Sequence, residues 1–144
     1  LIRAMKTLQS QSTSCASAVS QAAAVEALNG PQDLVRQRNA EFQTRRDLIV
    51  AALDGIPGLS CLSPEGAFYV YPSCAGVIGK RTPDGTVIAN DEDFVAYLLE
   101  SQGVAVVAGR PYGLSPYFRI SFAVSEDTLR KAAARIRAAC ESLQ

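Results

Sequence analysis

Residues 117–122 alternate strictly. Phe118, Ile120 and Phe122 fall on one side, and Tyr117, Arg119 and Ser121 on the other. A period of two in β-forming residues predicts a half-buried strand, with the apolar set toward a core and Arg119 on the opposite face. Residues 104–108 are almost wholly apolar, which predicts a strand buried on both faces. Residues 67–71 are aromatic and β-branched, as in a central strand. Between them and the short run 59–62 stands Ser63-Pro64-Glu65-Gly66, a turn with Pro64 at its second position, so the two runs are expected to pair as an antiparallel hairpin.

Elsewhere the apolar spacing lengthens to three and four. Ile2, Met5 and Leu8 predict a first helix, and the alanine-rich residues 16–28 a second, stopped by Asn29-Gly30. Pro31 is expected just inside a long third helix reaching about Asp54. Its stripe is Val35, Phe42 and Ile49, widened by Leu34, Ala52 and Leu53. Arg36, Arg38, Arg45 and Arg46 lie mostly off the stripe with Glu41 and Asp47 among them, the pattern of a solvated face rather than a nucleic-acid patch. Residues 73–89 are irregular, with a small hairpin about Pro83-Asp84-Gly85. Gly79-Lys80 is not a phosphate loop, because Cys74 stands where its first glycine belongs and Arg81 where it needs Ser or Thr. Asn90 or Asp91 caps a helix that ends at Gly103, with Phe94, Val95, Leu98 and Leu99 inward. Ser125 caps the last, striped by Leu129, Ala132, Ala133, Ile136, Cys140 and Leu143. This order predicts an α+β fold of helices packed on a small, mostly antiparallel sheet.

Composition narrows the function. At 144 residues the chain suffices for one compact domain with a sizeable core. Fourteen basic and fourteen acidic residues balance, leaving no general footprint for nucleic acid. No apolar run is long enough for a membrane span, and residues 1–6 lack the apolar region and cleavage site of a signal peptide. The absence of histidine removes Ser-His-Asp and Cys-His chemistry and histidine metal sites from this chain. Cys15, Cys61, Cys74 and Cys140 form no Cys-x-x-Cys pair and are read as free, mostly buried thiols of a cytoplasmic protein. The chain opens on Leu1 rather than Met and is expected to be part of a longer protein.

Arg119 has two readings. It is either an ordinary arginine on a wet strand face, or a recognition group whose planar fork binds a carboxylate through two parallel hydrogen bonds. Pattern alone leaves both open.

Val104-Ala-Val-Val-Ala-Gly-Arg-Pro-Tyr-Gly followed by Tyr117-Phe-Arg-Ile-Ser-Phe-Ala resembles the C-terminal part of the class I/II, fold-type I pyridoxal-phosphate aminotransferases, most like the aspartate aminotransferase branch. Pro64-Glu-Gly-Ala-Phe-Tyr69 and Gln11-Ser-Thr-Ser14 resemble segments of the same family in the same order. The resemblance implies amino-group transfer between an amino acid and a 2-oxo acid, with Arg119 gripping the substrate α-carboxylate. It implies pyridoxal 5'-phosphate as cofactor of the full-length enzyme, not bound by this chain alone, and a homodimer with no nucleic-acid or membrane partner. It divides the chain into interface helices over 1–30 and a small domain over 31–144, the large cofactor-binding domain being absent. Ser12 and Thr13 would lie near the neighbouring subunit's cofactor pocket. No catalytic residue is assigned within the chain: the family's Schiff-base lysine stands in a Ser-Lys context that Lys6, Lys80 and Lys131 do not match. Three positions depart from the family: Ala108 replaces a usual proline before Gly109, Arg110 a small polar residue, and Tyr112 a common phenylalanine. Arg110 is expected to point to solvent, the other possibility being a bias toward acidic substrates. The competing functions are a non-catalytic amino-acid-binding module and an oligomerisation domain.

Overall fold

The computed structural model describes residues 1–13 and 15–144. They divide into two compact units, Leu1–Gln37 and Arg38–Gln144.

The first unit holds α1 (Ile2–Ser12) and α2 (Ala18–Asn29), neither of which buries a residue. The helix α3 (Asp33–Asp54) starts two residues after Pro31, not at it. The Gln32 amide explains the delay. Its side-chain NH2 donates to the carbonyls of Ala27 (2.9 Å) and Gly30 (3.0 Å), so it closes the end of α2, and the Gln32 backbone carbonyl accepts the first α3 bond from Arg36 N–H (3.1 Å). Of the predicted α3 stripe, Leu34 and Val35 are exposed, while Ile49 and Leu53 are fully buried.

In the second unit β3 (Phe118–Ser121) is the centre of a three-stranded antiparallel sheet, flanked by β1 (Tyr69–Val70) and β2 (Val107–Ala108). Val70 pairs with Ile120, and Ala108 with Phe118. The alternation read from sequence holds: Phe118, Ile120 and Phe122 are buried, Tyr117 and Arg119 are half-buried, and Ser121 is exposed. The helices α4 (Asp91–Gln102) and α5 (Glu126–Glu141) pack against each other, and α4 also against β2. Phe94 of α4 meets Phe118 edge-on, with ring centroids 5.4 Å apart. Each such buried side chain contributes about 1.5–3 kcal/mol of burial, so β3 is anchored from its apolar face, and Arg119 stands on the half-buried opposite face.

Caps follow the sequence. Asn90 Oδ1 accepts from the N–H groups of Glu92 (2.8 Å) and Asp93 (3.1 Å), Gly103 ends α4 at φ 63°, and Ser125 Oγ accepts from Thr128 N–H (3.3 Å). The hairpin about Asp84 forms through Arg81 and Val87, and Gln144 pairs with Arg81 in both directions, 2.8 and 2.9 Å.

Two strand expectations are corrected. Residues 59–62 and 67–71 form no tight hairpin. Ser60 instead bridges Ser73, which in turn bridges Tyr117. Ala67 stands at φ 64°, a left-handed conformation that breaks the extended run, and Pro72 has no N–H to continue a ladder. Residues 104–108 are not buried on both faces: Val104 is buried, Val107 is exposed, and only Val107–Ala108 is strand. The reason is position, since β2 is an edge strand. Among the described residues no helix is long and apolar enough to cross a membrane.

Candidate functional site

β3 carries Arg119 on the face turned away from Phe118 and Ile120. Its guanidinium carbon lies 5.3 Å from the Tyr69 ring centroid and 5.1 Å from that of Tyr112. Tyr69 comes from β1, and Tyr112 from a 3-10 turn, Arg110–Tyr112, that follows β2. Two cation–π contacts, each worth about 0.5–1 kcal/mol at a partly exposed site, fix where the charge sits without neutralising it. Arg130 and Arg137 of α5 pair with Glu126 and Glu141 one turn away. Arg119 forms no ion pair among the described residues. It is a held cation with its N–H fork uncommitted.

A hollow of about 380 Å³ shares Tyr69 with these contacts and is lined also by Tyr71, Tyr117, Leu114, Leu62 and Pro64. Arg119 itself does not line it. The volume falls within the range of small-molecule sites, at its lower end. Two larger hollows, about 470 Å³ by Phe42 and Arg46 and about 630 Å³ between Thr86 and Tyr97, contain neither Arg119 nor Tyr112.

The loop carrying Tyr112 is drawn tight. Gly109 N–H donates to Tyr117 O (2.7 Å), and Gly109 O accepts from Tyr112 N–H (2.8 Å) and Leu114 N–H (3.1 Å). A Cβ on Gly109 would stand 2.0 Å from Leu114 O, so only glycine fits. Asp91, the first residue of α4, reaches the same loop. Its carboxylate accepts from Arg110 N–H (2.8 Å) and from the Ser115 hydroxyl, and it has no exposed surface. Burial pushes the Asp91 pKa up, but the bonds from Ser115 and Arg110 outweigh it and hold the carboxyl below the usual range.

Arg110 points to Glu92 of α4, N to O 3.1 Å, on the exposed surface. That pair neutralises its charge there, in line with the solvent-facing expectation. Ser12 ends α1, its hydroxyl donating back to Leu8 O (3.3 Å), and Thr13 is the exposed residue that closes the helix. Both belong to the first unit. Ser14, the last residue of the 11–14 resemblance, lies outside the described residues. Cys61, Cys74 and Cys140 are buried free thiols and Cys15 is exposed.

The sequence marks Arg119 by strand position and resemblance, and Tyr112 and the segment ending at Tyr69 by comparison with the family, but it does not show that the two rings meet the guanidinium. In sequence Tyr69 is a strand former within a family-like segment, and Asp91 only a possible cap. An acidic residue directly after a good cap residue was the one available signal, and it does not reveal a side chain turned inward.

Residues 1–136 match the model of the family described as Aminotransferase class I and II. The chain is 59% identical over 143 residues to an aspartate aminotransferase of Rhizobium meliloti, covering 99% of this chain and 35% of that protein. It is 53% identical to an aspartate/prephenate aminotransferase of Cereibacter sphaeroides, covering 99% and 36%. Among solved structures, a Rhizobium meliloti aspartate aminotransferase superposes with a TM-score of 0.89 at 58% identity, over 99% of this chain and 36% of that one. A Thermus thermophilus aspartate aminotransferase with maleate gives 0.75 at 32% identity, over 96% and 34%. The chain thus spans about a third of the length of these relatives.

Proposed function

Because the chain belongs to the class I and II aminotransferase family, we propose that it is the C-terminal part of an aspartate-type aminotransferase that holds the substrate's α-carboxylate on Arg119. The single observation that carries this reading is the state of that side chain. It is a half-buried guanidinium, held by Tyr69 and Tyr112 and unpaired with any described carboxylate. A planar fork of this kind accepts a carboxylate through two charge-assisted hydrogen bonds, which fix the orientation of the attached carbon as well as its position. The two rings limit the swing of the guanidinium, so less freedom is lost when the carboxylate binds. Amino acid and 2-oxo acid share that carboxylate, so one arginine serves both halves of an amino-group exchange.

Pyridoxal phosphate is the cofactor this family implies, and it calls for a lysine amine. The lysines of this chain stand outside the Ser-Lys context in which the family carries it. Within the second unit, Lys131 is paired with Asp127 (2.7 Å) on α5, and neither Lys80 nor Lys131 lines the hollow beside Tyr69. Its anchors belong to the part of the protein outside this chain. Homodimer formation, with Ser12 and Thr13 near the neighbouring subunit's site, and a cytoplasmic location are parts of the same reading.

The test is amino-group transfer by the complete protein, from aspartate to a 2-oxo acid, followed by product formation. Turnover that depends on added pyridoxal phosphate supports the reading. Binding of aspartate without turnover would favour a non-catalytic amino-acid-binding module instead.

A further inference from the structure

Tyr112 is 57% exposed, so packing of its ring does not hold it against Arg119. Its place is set by its backbone, and that backbone is tied at both ends of the 110–115 loop to one buried carboxylate. Arg110 N–H and the Ser115 hydroxyl both donate to Asp91. Removing a carboxylate fully from water is costly, and no cation among the described residues pairs with Asp91 to offset it. The location at the first turn of α4 eases that cost, and the two donors satisfy the oxygens. What the buried charge adds, beside the backbone bonds of Gly109, is a tie from α4 to residues 110 and 115 of the loop.

We propose that Asp91 is a positioning residue for carboxylate recognition: acting through the 110–115 loop, it holds Tyr112 over Arg119 and so keeps the guanidinium aimed at substrate. This inference rests on the reading of Arg119 given above. Released from Asp91, the loop keeps only its backbone bonds about Gly109, Tyr112 is held less firmly over the guanidinium, and Arg119 samples orientations that do not match a carboxylate. Substrate binding weakens, while the chemistry of an already bound substrate is little altered.

The experiment is a double-mutant cycle in the complete holoenzyme, reading KM for aspartate, kcat and melting temperature. Asp91→Ala is expected to raise KM about tenfold with kcat within about twofold. Asp91→Asn is expected to restore KM to within about twofold, since its amide oxygen accepts from Arg110 N–H while its NH2 donates to the Ser115 hydroxyl. In a Tyr112→Ala background, Asp91→Ala is expected to add less than about twofold, because its effect passes through that ring. If Asp91→Ala does not yield folded protein, Ser115→Ala completes the same cycle with an expected rise of about threefold. An unchanged KM with a lower melting temperature would make Asp91 merely structural and overturn the inference, as would an equal rise in KM with and without Tyr112. Arg119→Lys is run alongside. If it leaves kcat/KM intact, the carboxylate site itself is refuted. If it is impaired while the cycle is additive, only the role of Asp91 fails.

Discussion

Replacing Gly109 by alanine probes the loop at its tightest point. The added Cβ would stand 2.0 Å from Leu114 O and 2.6 Å from Tyr117 O. Ordinary carbon–oxygen contacts begin near 3.3 Å, so the Leu114 carbonyl must retreat by about 1.3 Å. Both contacts are backbone, so no side-chain rotation relieves them. Retreat breaks the Gly109-to-Tyr117 and Leu114-to-Gly109 hydrogen bonds, 2.7 and 3.1 Å. At about 1 kcal/mol net for each, with some loss at Arg110–Asp91, local stability should fall by about 2–3 kcal/mol. Amide exchange of peptides covering 107–119 should then quicken by about 30- to 150-fold in the complete protein. Peptides from α5, which shares no bond with the loop, should keep their protection. On the proposed role of Arg119, KM for aspartate should rise together with the loop exchange. Unchanged protection over 107–119 would refute the claim that this loop is held by a closed set of backbone bonds.

Further outcomes are expected elsewhere. Burial raises the Cys61 thiol to about 11, Cys74 to about 12 with the Asp91 charge adding, and Cys140 to about 11. At pH 8 no more than about one in a thousand of these is thiolate, so a thiol reagent should modify only Cys15 of the four before unfolding, and native labelling of Cys74 would contradict the packing. Ala67→Gly removes a left-handed alanine at φ 64° and should raise stability to urea by about 0.5–1 kcal/mol; a loss would show that the Ala67 methyl packs usefully. The folded-state pKa of Asp91 is depressed, so its ionisation stabilises the fold above the unfolded value, about 3.9, and that contribution is lost as pH falls through the folded value. The melting-temperature gap between wild type and Asp91→Asn should therefore be constant near neutrality and shrink below about pH 4. A gap that instead shrinks as pH rises would invert the sign argued here.

Local rules carried the second unit far. The alternation at 117–122 identified the central strand and the face of Arg119, because a side-chain period of two leaves no other way to bury Phe118 and Ile120 together. Asn90, Gly103 and Ser125 marked helix ends because capping depends on neighbours within one turn. Long-range pairing was less legible. Residues 59–62 were assigned to the adjacent run 67–71, but the backbone at Ala67 and Pro72 diverts the pairing to Ser73. The apolar run at 104–108 looked central because composition does not tell an edge strand from an inner one. At the site, Arg119 stood out by its strand position and by resemblance. Tyr112 stood out only as a departure from the family, not as a ring over Arg119, and Asp91 only as a possible cap, since its bonds span 19 and 24 positions. Such contacts are products of the fold and leave no periodic trace.

The most direct test of the proposed carboxylate site is Arg119→Lys in the complete protein, measured as kcat/KM and melting temperature on the same preparation. Lysine keeps the charge but replaces the fork by a point donor, which loses on the order of 1.5–3 kcal/mol of charge-assisted hydrogen bonding. A fall of about ten- to hundredfold in kcat/KM is expected for every amino-acid substrate, with the melting temperature little changed because Arg119 lies off the apolar core. An unaltered kcat/KM would contradict it, leaving Arg119 an ordinary arginine on a strand face.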